Sequence, residues 1–257
     1  SRTHKLVIMS KTLILIPSRM AATRLPGKPL LKIDGRSIIS QVYKRALETN
    51  IGEVYVATED QEIFDDVIKN GGKCVMTRKD HKTGTDRIFE AYQKINVPEV
   101  DYILNVQGDE PLININDIIN LNSQIIMSNS EMGTLACSII SDDQYYDENI
   151  VKVKTKKKIN QTSVSKAEKF FRKLENSDKE NIFHHIGIYQ YKISVLKKII
   201  SSKQTDNEKK LRLEQLRALE NNINIDVVLA KSPSIGVDTR EDYNKVKKIL
   251  KQKINGI

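Results

Sequence analysis

The 257-residue chain has little cysteine, no tryptophan and no long apolar run. Cys74 and Cys137 are too few for a disulfide framework or a four-ligand zinc site. Both lie in strand-like apolar stretches and read as buried, inert thiols suited to a reducing cytoplasm. The longest aliphatic runs, such as Leu13-Ile14-Leu15-Ile16, fall far short of the roughly twenty residues a bilayer span needs, so membrane insertion is not expected. No basic-then-apolar leader with a small-residue cleavage site opens the chain, which argues against secretion. Helix-turn-helix and zinc-finger spacings are absent, as is an aromatic platform for stacking bases, so nucleic acid is not an expected partner.

What is present suits a folded domain. Hydrophobic residues make up 39% and charged residues 29%, enough for a core under a solvated surface. The charge is uneven. Residues 1–150 hold 17 Lys+Arg against 21 Asp+Glu, while residues 151–257 hold 25 against 12, and the chain nets +9. A basic half fits nucleic acid or an anionic membrane, but its lysines alternate with Ile and Asn along helical patterns, which is a solvated face. Residues 1–9 read as a leader, with Met9-Ser10-Lys11 as a natural beginning, and residues 10–257 as one domain.

From Thr12 strands and helices alternate. Thr12–Ile16, Glu53–Thr58, Lys73–Thr77 and Tyr102–Val106 read as strands. Ser37–Thr49, Gln61–Lys69, Thr85–Ile95 and Asn114–Met127 read as helices. Their repetition about every 25 residues predicts βαβ units and a mainly parallel sheet. Strand-like Gly133–Ile140, Ile150–Thr155 and Ile182–Tyr191 then predict an antiparallel excursion over about 131–191. Helices are expected at Ile193–Ile200, at Glu208–Glu220 and from Arg240, with a strand at Ile223–Leu229.

Chemistry concentrates at strand ends. The loop Pro17–Pro29 carries Arg19, Arg24 and Lys28 after the first strand, at the sheet edge where α/β proteins bind ligands. Arginine forks and a compact ammonium suit phosphate, and Gly27 allows close backbone approach. Neither a P-loop nor a dinucleotide Gly-x-Gly-x-x-Gly is present. Asn105-Val106-Gln107-Gly108-Asp109-Glu110-Pro111 places carboxylates after another strand, where Mg²⁺ would bridge them to a polyanion. Asp238, in Gly236-Val237-Asp238-Thr239, reads equally as a second metal ligand or as the N-cap of the terminal helix. Thr77–Arg87 is a polar loop that could line a base and ribose or simply cap a helix. His184 and His185, adjacent on a strand, face opposite sides, so they do not form a zinc pair.

Taken in order, these motifs resemble one family, the CMP-Kdo synthetases, cytidylyltransferases that activate 3-deoxy-manno-octulosonate (Kdo). The carriers are Ile16-Pro17-x-Arg19, Thr23–Leu30, Val56-Ala57-Thr58-x-Asp60, Met76–Arg87, Asn105–Pro111, Val151-Lys152-Val153, His185-x-Gly187-Ile188-Tyr189, Leu213–Arg217 and Gly236–Thr239. The resemblance implies a Rossmann-like nucleotide-diphospho-sugar transferase fold, usually a homodimer in the cytoplasm, using CTP and Mg²⁺ for lipopolysaccharide synthesis. It implies Arg19, Arg24 and Lys28 at the triphosphate, with Thr77, Arg78, Thr83, Gly84 and Gln107 at cytidine. It also implies Asp109 and Asp238 at the metal, and His185, Tyr189, Glu214 and Gln215 at the sugar acid. Arg19, Lys28 and Asp109 are the expected catalytic groups. Departures from the family pattern are Ala22 for a common Ser, Lys166 within Ser165–Ala167, His184 for Arg, and Leu211 for Glu. A related acceptor (an amino-Kdo or a nonulosonic acid) and an inactive anion-binding scaffold are the competing readings.

Overall fold

A computed structural model describes residues 1–233 and 235–256. In chain order the elements are α1 (Arg2–Met9), β1 (Thr12–Ser18), a 3-10 turn (Lys28–Leu30), β2 (Lys32–Ile33), β3 (Arg36–Ser37), α2 (Ile38–Glu48), β4 (Val54–Thr58), α3 (Gln61–Lys69), β5 (Cys74–Met76), α4 (Gly84–Lys94) and β6 (Tyr102–Asn105). There follow α5 (Ile115–Met127), β7 (Met132–Cys137), α6 (Asp143–Tyr146), β8 (Lys152–Thr155), β9 (Ser165–Phe171), β10 (Ile182–Lys192), α7 (Ile193–Ser201), α8 (Asp206–Leu211), α9 (Gln215–Glu220), β11 (Ile225–Leu229) and α10 (Arg240–Ile254). They form two compact units.

The first unit comprises Leu13–Pro98, Asn105–Ile115 and Ser234–Ile257. Its strands run β5-β4-β1 and pair parallel, with Ile14 opposite Val54 and Val56 opposite Cys74. The run Leu13–Ile16 is wholly buried, as a parallel strand covered on both faces must be. Ser37 caps α2 by accepting from the Ser40 N–H at 3.1 Å. The helix then buries Ile38, Ile39, Val42, Tyr43 and Ala46, the stripe of a 3.6-residue period. A reciprocal capping box, Thr239 with Asp242, starts α10. Tyr243, Val246 and Leu250 of α10 pack in one cluster with Leu25, Ile33, Ile38 and Val237. Burial of such a side chain is worth about 1.5–3 kcal/mol, and here it anchors the loop that carries Arg24 and Lys28.

The second unit comprises Ser1–Thr12, Glu99–Leu104 and Asn116–Pro233. Its strand order is β6-β10-β7-β11-β9-β8, and β8 pairs back onto β10. The pairings β10–β7, β11–β9, β8–β9 and β10–β8 are antiparallel, whereas β11–β7 is parallel. Strands β10, β7, β11, β9 and β8 therefore close a circuit. The predicted antiparallel excursion is present, and it includes one strand the sequence reading lacked. In β9, Ser165, Ala167 and Phe170 are buried while Lys166, Glu168 and Lys169 are exposed; with no β-branched residue, the segment carries little strand propensity.

Two expectations change. The single helix predicted over Glu208–Glu220 is two short helices, because Arg212 turns left-handed at φ 57°. A buried Glu208–Arg217 ion pair at 2.9 Å joins them. Cys137 is buried as expected, but Cys74 is only half-buried. Burial still pushes the Cys74 thiol up to about 12 and the Cys137 thiol up to about 11, so neither is a thiolate at neutral pH. The helix α1 buries none of its residues. Among the described residues no helix is long and apolar enough to cross a membrane.

One buried group in the second unit lacks its complement. Gln190, opposite Gly133 on β7, is fully buried, and neither amide atom has a hydrogen-bond partner among the described residues. An unpaired buried amide costs about 1–3 kcal/mol. Gln190→Met, similar in length and apolar, should therefore hold or raise the thermal midpoint; a drop of several degrees on calorimetry would contradict this.

Candidate active site

A cavity of about 660 Å³ opens in the first unit, within the size range of small-ligand sites. Its walls are the loop after β1 (Ser18, Arg19, Thr23, Lys28), the start of α4 with the residues before it (His81–Gly84, Arg87), Gln107–Asp109, and Asp238 just before α10. The walls after β1 and before α4 are formed at the carboxyl ends of parallel strands, where loops present groups to ligands.

Local backbone chemistry sets the first wall. Gly27 has φ 71°, a left-handed turn that a side chain resists, and from it Lys28 enters the 3-10 turn. The Met20 N–H donates to Asp60 Oδ2 at 2.8 Å. Asp60 stands at the N-cap position of α3 but makes no side-chain cap bond there; its carboxylate is spent on the loop instead. At Gly108 a Cβ would lie 3.0 Å from the Pro17 carbonyl oxygen, so a larger residue would push these two walls slightly apart.

Charge converges on Lys28. Its Nζ donates to Asp109 Oδ2 at 3.2 Å and lies 3.8 Å from Asp238 Oδ1. The Val237 N–H donates to the Asp109 carbonyl at 2.8 Å, which brings the two aspartates to one ammonium. Arg24 reaches Asp238 at 3.2 Å, with both side chains more than half exposed, so that pair adds little stability. Arg19 is exposed on the wall with no carboxylate partner among the described residues, leaving its guanidinium available for an anion. Thr239, not Asp238, accepts the capping bond of α10, so Asp238 is not the N-cap of that helix. Asp109 and Asp238 give two hard oxygen donors on one cavity wall, a set that fits a divalent cation completed by water and phosphate. No group of three or more His, Cys, Asp or Glu arranged for a metal occurs among the described residues.

Arg19, Lys28, Thr83, Gly84, Gln107, Asp109 and Asp238 thus share one cavity. Thr83 is also the N-cap of α4, accepting from the Asp86 N–H at 3.2 Å. Thr77 and Arg78 do not line the cavity. Thr77 is buried and accepts from Arg87, while the Arg78 side chain is exposed beside Asp80 at 3.2 Å and Glu90 at 3.5 Å. Asp60, His81 and Arg87 stood in the quoted motifs without a role. An imidazole in the loop after β5 and a cation in the first turn of the helix that follows were the available signals for the last two.

The remaining expected residues lie in the second unit. His185 is buried, with Nε2 2.8 Å from Thr134 Oγ1 and its ring edge-on to Phe170 at 5.0 Å. The Tyr189 hydroxyl donates to Gln215 Oε1 at 3.1 Å, and Glu214 precedes α9. Burial, with His184 adjacent, pushes His185 down to about 3; burial also lowers His184.

A solved structure of CMP:2-keto-3-deoxy-manno-octonic acid synthetase complexed with CTP superposes with a TM-score of 0.84 at 35% identity, covering 95% of this chain and all of that one. UDP-glucose pyrophosphorylase complexed with UDP-glucose shares the fold at 14% identity and a TM-score of 0.68, covering 95% of this chain and all of that one. The molecule is thus an α/β protein of the nucleotide-diphospho-sugar transferase fold. The 3-deoxy-manno-octulosonate cytidylyltransferase of Bartonella bacilliformis is 41% identical over 242 residues, covering 93% of this chain and 98% of that protein. The one from Rhizobium etli is 40% identical over 243 residues, 94% of this chain and 96% of that protein. The family described as Cytidylyltransferase matches residues 13–225, and the chain belongs to it.

Two outcomes check the site. Asp60→Ala should speed hydrogen exchange at the Met20 amide by about tenfold or more, the scale of a lost charge-assisted bond, without moving the global melt; unchanged exchange would remove Asp60 from the loop's support. The second concerns acid. An unfolded histidine titrates near 6.5, so below that value the unfolded chain takes up a proton that folded His185 refuses. Stability should fall as pH falls, by up to about 1.4 kcal/mol per pH unit, and His184 acts in the same sense. Urea midpoints at pH 7.5 and 5.5 should converge in His185→Gln relative to the parent; equal slopes would contradict the burial of a neutral ring.

Proposed function

We infer that the chain transfers the cytidylyl group of CTP to the anomeric hydroxyl of Kdo, as a cytoplasmic homodimer serving lipopolysaccharide synthesis. The observation that carries this is the single cavity holding Arg19, Lys28, Asp109 and Asp238 in a member of the cytidylyltransferase family. The anomeric oxygen attacks the α-phosphorus and loses its proton; the bond from that phosphorus to the bridging oxygen breaks, and CMP-Kdo and pyrophosphate result. Arg19 binds triphosphate oxygens through its guanidinium fork, and Arg24 supports the same loop from the rim. Lys28, released from its carboxylate partners by the incoming phosphates, neutralises the charge that develops on the leaving pyrophosphate. Gln107, Thr83 and Gly84 line the nucleoside side, with Thr77 and Arg78 behind them.

Asp109 and Asp238 would hold Mg²⁺ together with phosphate oxygens. Bound there, the ion neutralises phosphate charge and lowers the pKa of a coordinated hydroxyl. The acceptor side is assigned to His185, Tyr189, Glu214 and Gln215. His185 is kept neutral by burial and brings no charge to that side.

Pyrophosphate release tests the reaction, with CTP, Mg²⁺ and Kdo set against ATP, GTP and UTP and against an amino-Kdo and a nonulosonic acid. Release with CTP and Kdo is expected. Release only with another sugar acid would relocate the specificity, and silence with every acceptor would overturn the enzyme reading. Asp109→Ala should keep its fold by circular dichroism and lose at least about a hundredfold in turnover, the scale of one strong electrostatic group. Near-normal turnover would remove Asp109 from the chemistry.

A further inference from the structure

One wall of the cavity carries a histidine held from behind by a carboxylate. His81 lines the cavity, although its side chain is only 7% exposed. Its Nε2 lies 2.8 Å from Glu90 Oε1, on α4. The same carboxylate accepts from the Arg78 backbone N–H at 3.0 Å and pairs with Lys94 Nζ at 2.9 Å. Burial alone would raise the Glu90 carboxyl, but the hydrogen bonds from Lys94, Arg78 and His81 hold it down at about 2. At neutral pH it is an ionised carboxylate and can only accept.

The shared hydrogen therefore belongs to Nε2. In a neutral ring that leaves Nδ1 as an acceptor, and Nδ1 has no partner among the described residues. A fixed acceptor in a nucleotide cavity separates bases by what they offer it. The exocyclic amine of cytosine donates, whereas the corresponding carbonyl of uracil cannot. A site built to receive one hydrogen bond rejects an analogue lacking the donor far more strongly than shape alone would allow.

We propose that His81 Nδ1 accepts the cytosine amine and so selects CTP over UTP, with Glu90 as the positioning residue that fixes the ring's tautomer. The inference rests on the cytidylyl-transfer reading of the cavity and assigns the base selection within it.

Calorimetric titration of CTP and UTP with Mg²⁺ tests it on the full chain. The parent should prefer CTP. His81→Leu should shrink the ratio of the two dissociation constants by about tenfold or more. His81→Asn should restore most of it, because the Asn carbonyl stands near the position of Nδ1. Nitrogen NMR of the labelled parent gives a readout that needs no variant to fold: the Nε2–H tautomer, with an Nδ1 resonance that moves on adding CTP and not UTP. An Nδ1–H tautomer, or full selectivity in His81→Leu, would overturn the proposal while leaving cytidylyl transfer intact. A parent that binds neither nucleotide would overturn both.

Discussion

Everything in the cavity after β1 depends on one ammonium shared by two carboxylates. Asp109 and Asp238 are far apart in sequence, and without a cation between them their charges would repel in a partly desolvated cavity. Lys28 supplies that cation at 3.2 and 3.8 Å, and the Val237–Asp109 backbone bond keeps the two acidic turns in register. The cluster is therefore balanced as it stands and open to exchange. A phosphate can draw the ammonium away, and a divalent cation can take its place between the carboxylates.

The scaffold behind it is chosen for stiffness. Leu25, at the far side of the loop after β1 from Arg19, is locked into the same apolar cluster as α10, and Asp60 ties the near side. Two glycines permit the geometry, Gly27 by its left-handed turn and Gly108 by close approach to Pro17. Glu90 holds His81 and the Arg78 N–H much as Asp60 holds the Met20 N–H. Both are carboxylates facing inward from a helix start or face, and both act on a loop and not on a ligand.

Much of this was legible in the residue order. The helix Gln61–Lys69 and the start of α10 at Arg240 were read correctly, because apolar periodicity and capping residues agree there. Arg19, Lys28, Asp109 and Asp238 stood out as charged residues in loops and turns after strands, and the structure places all four on one cavity. The break at Arg212 was not visible: a left-handed arginine has no sequence signature, and the buried Glu208–Arg217 pair that stabilises it is a tertiary contact. β9 was missed because its alternation rests on Ser and Ala. Asp60 and Glu90 carried no legible role either, since each acts through a loop that only the fold brings near. Arg78 shows the converse, a motif residue whose side chain lies outside the cavity wall in this structure.

Phosphorus NMR of one sample containing the chain, CTP, Mg²⁺ and Kdo measures most directly where the bond is broken. The account predicts that the triphosphate resonances disappear in step with the growth of pyrophosphate and of one sugar-linked phosphodiester. Appearance of CDP with orthophosphate, or of CMP with no phosphodiester, would contradict attack by the sugar oxygen at the α-phosphorus.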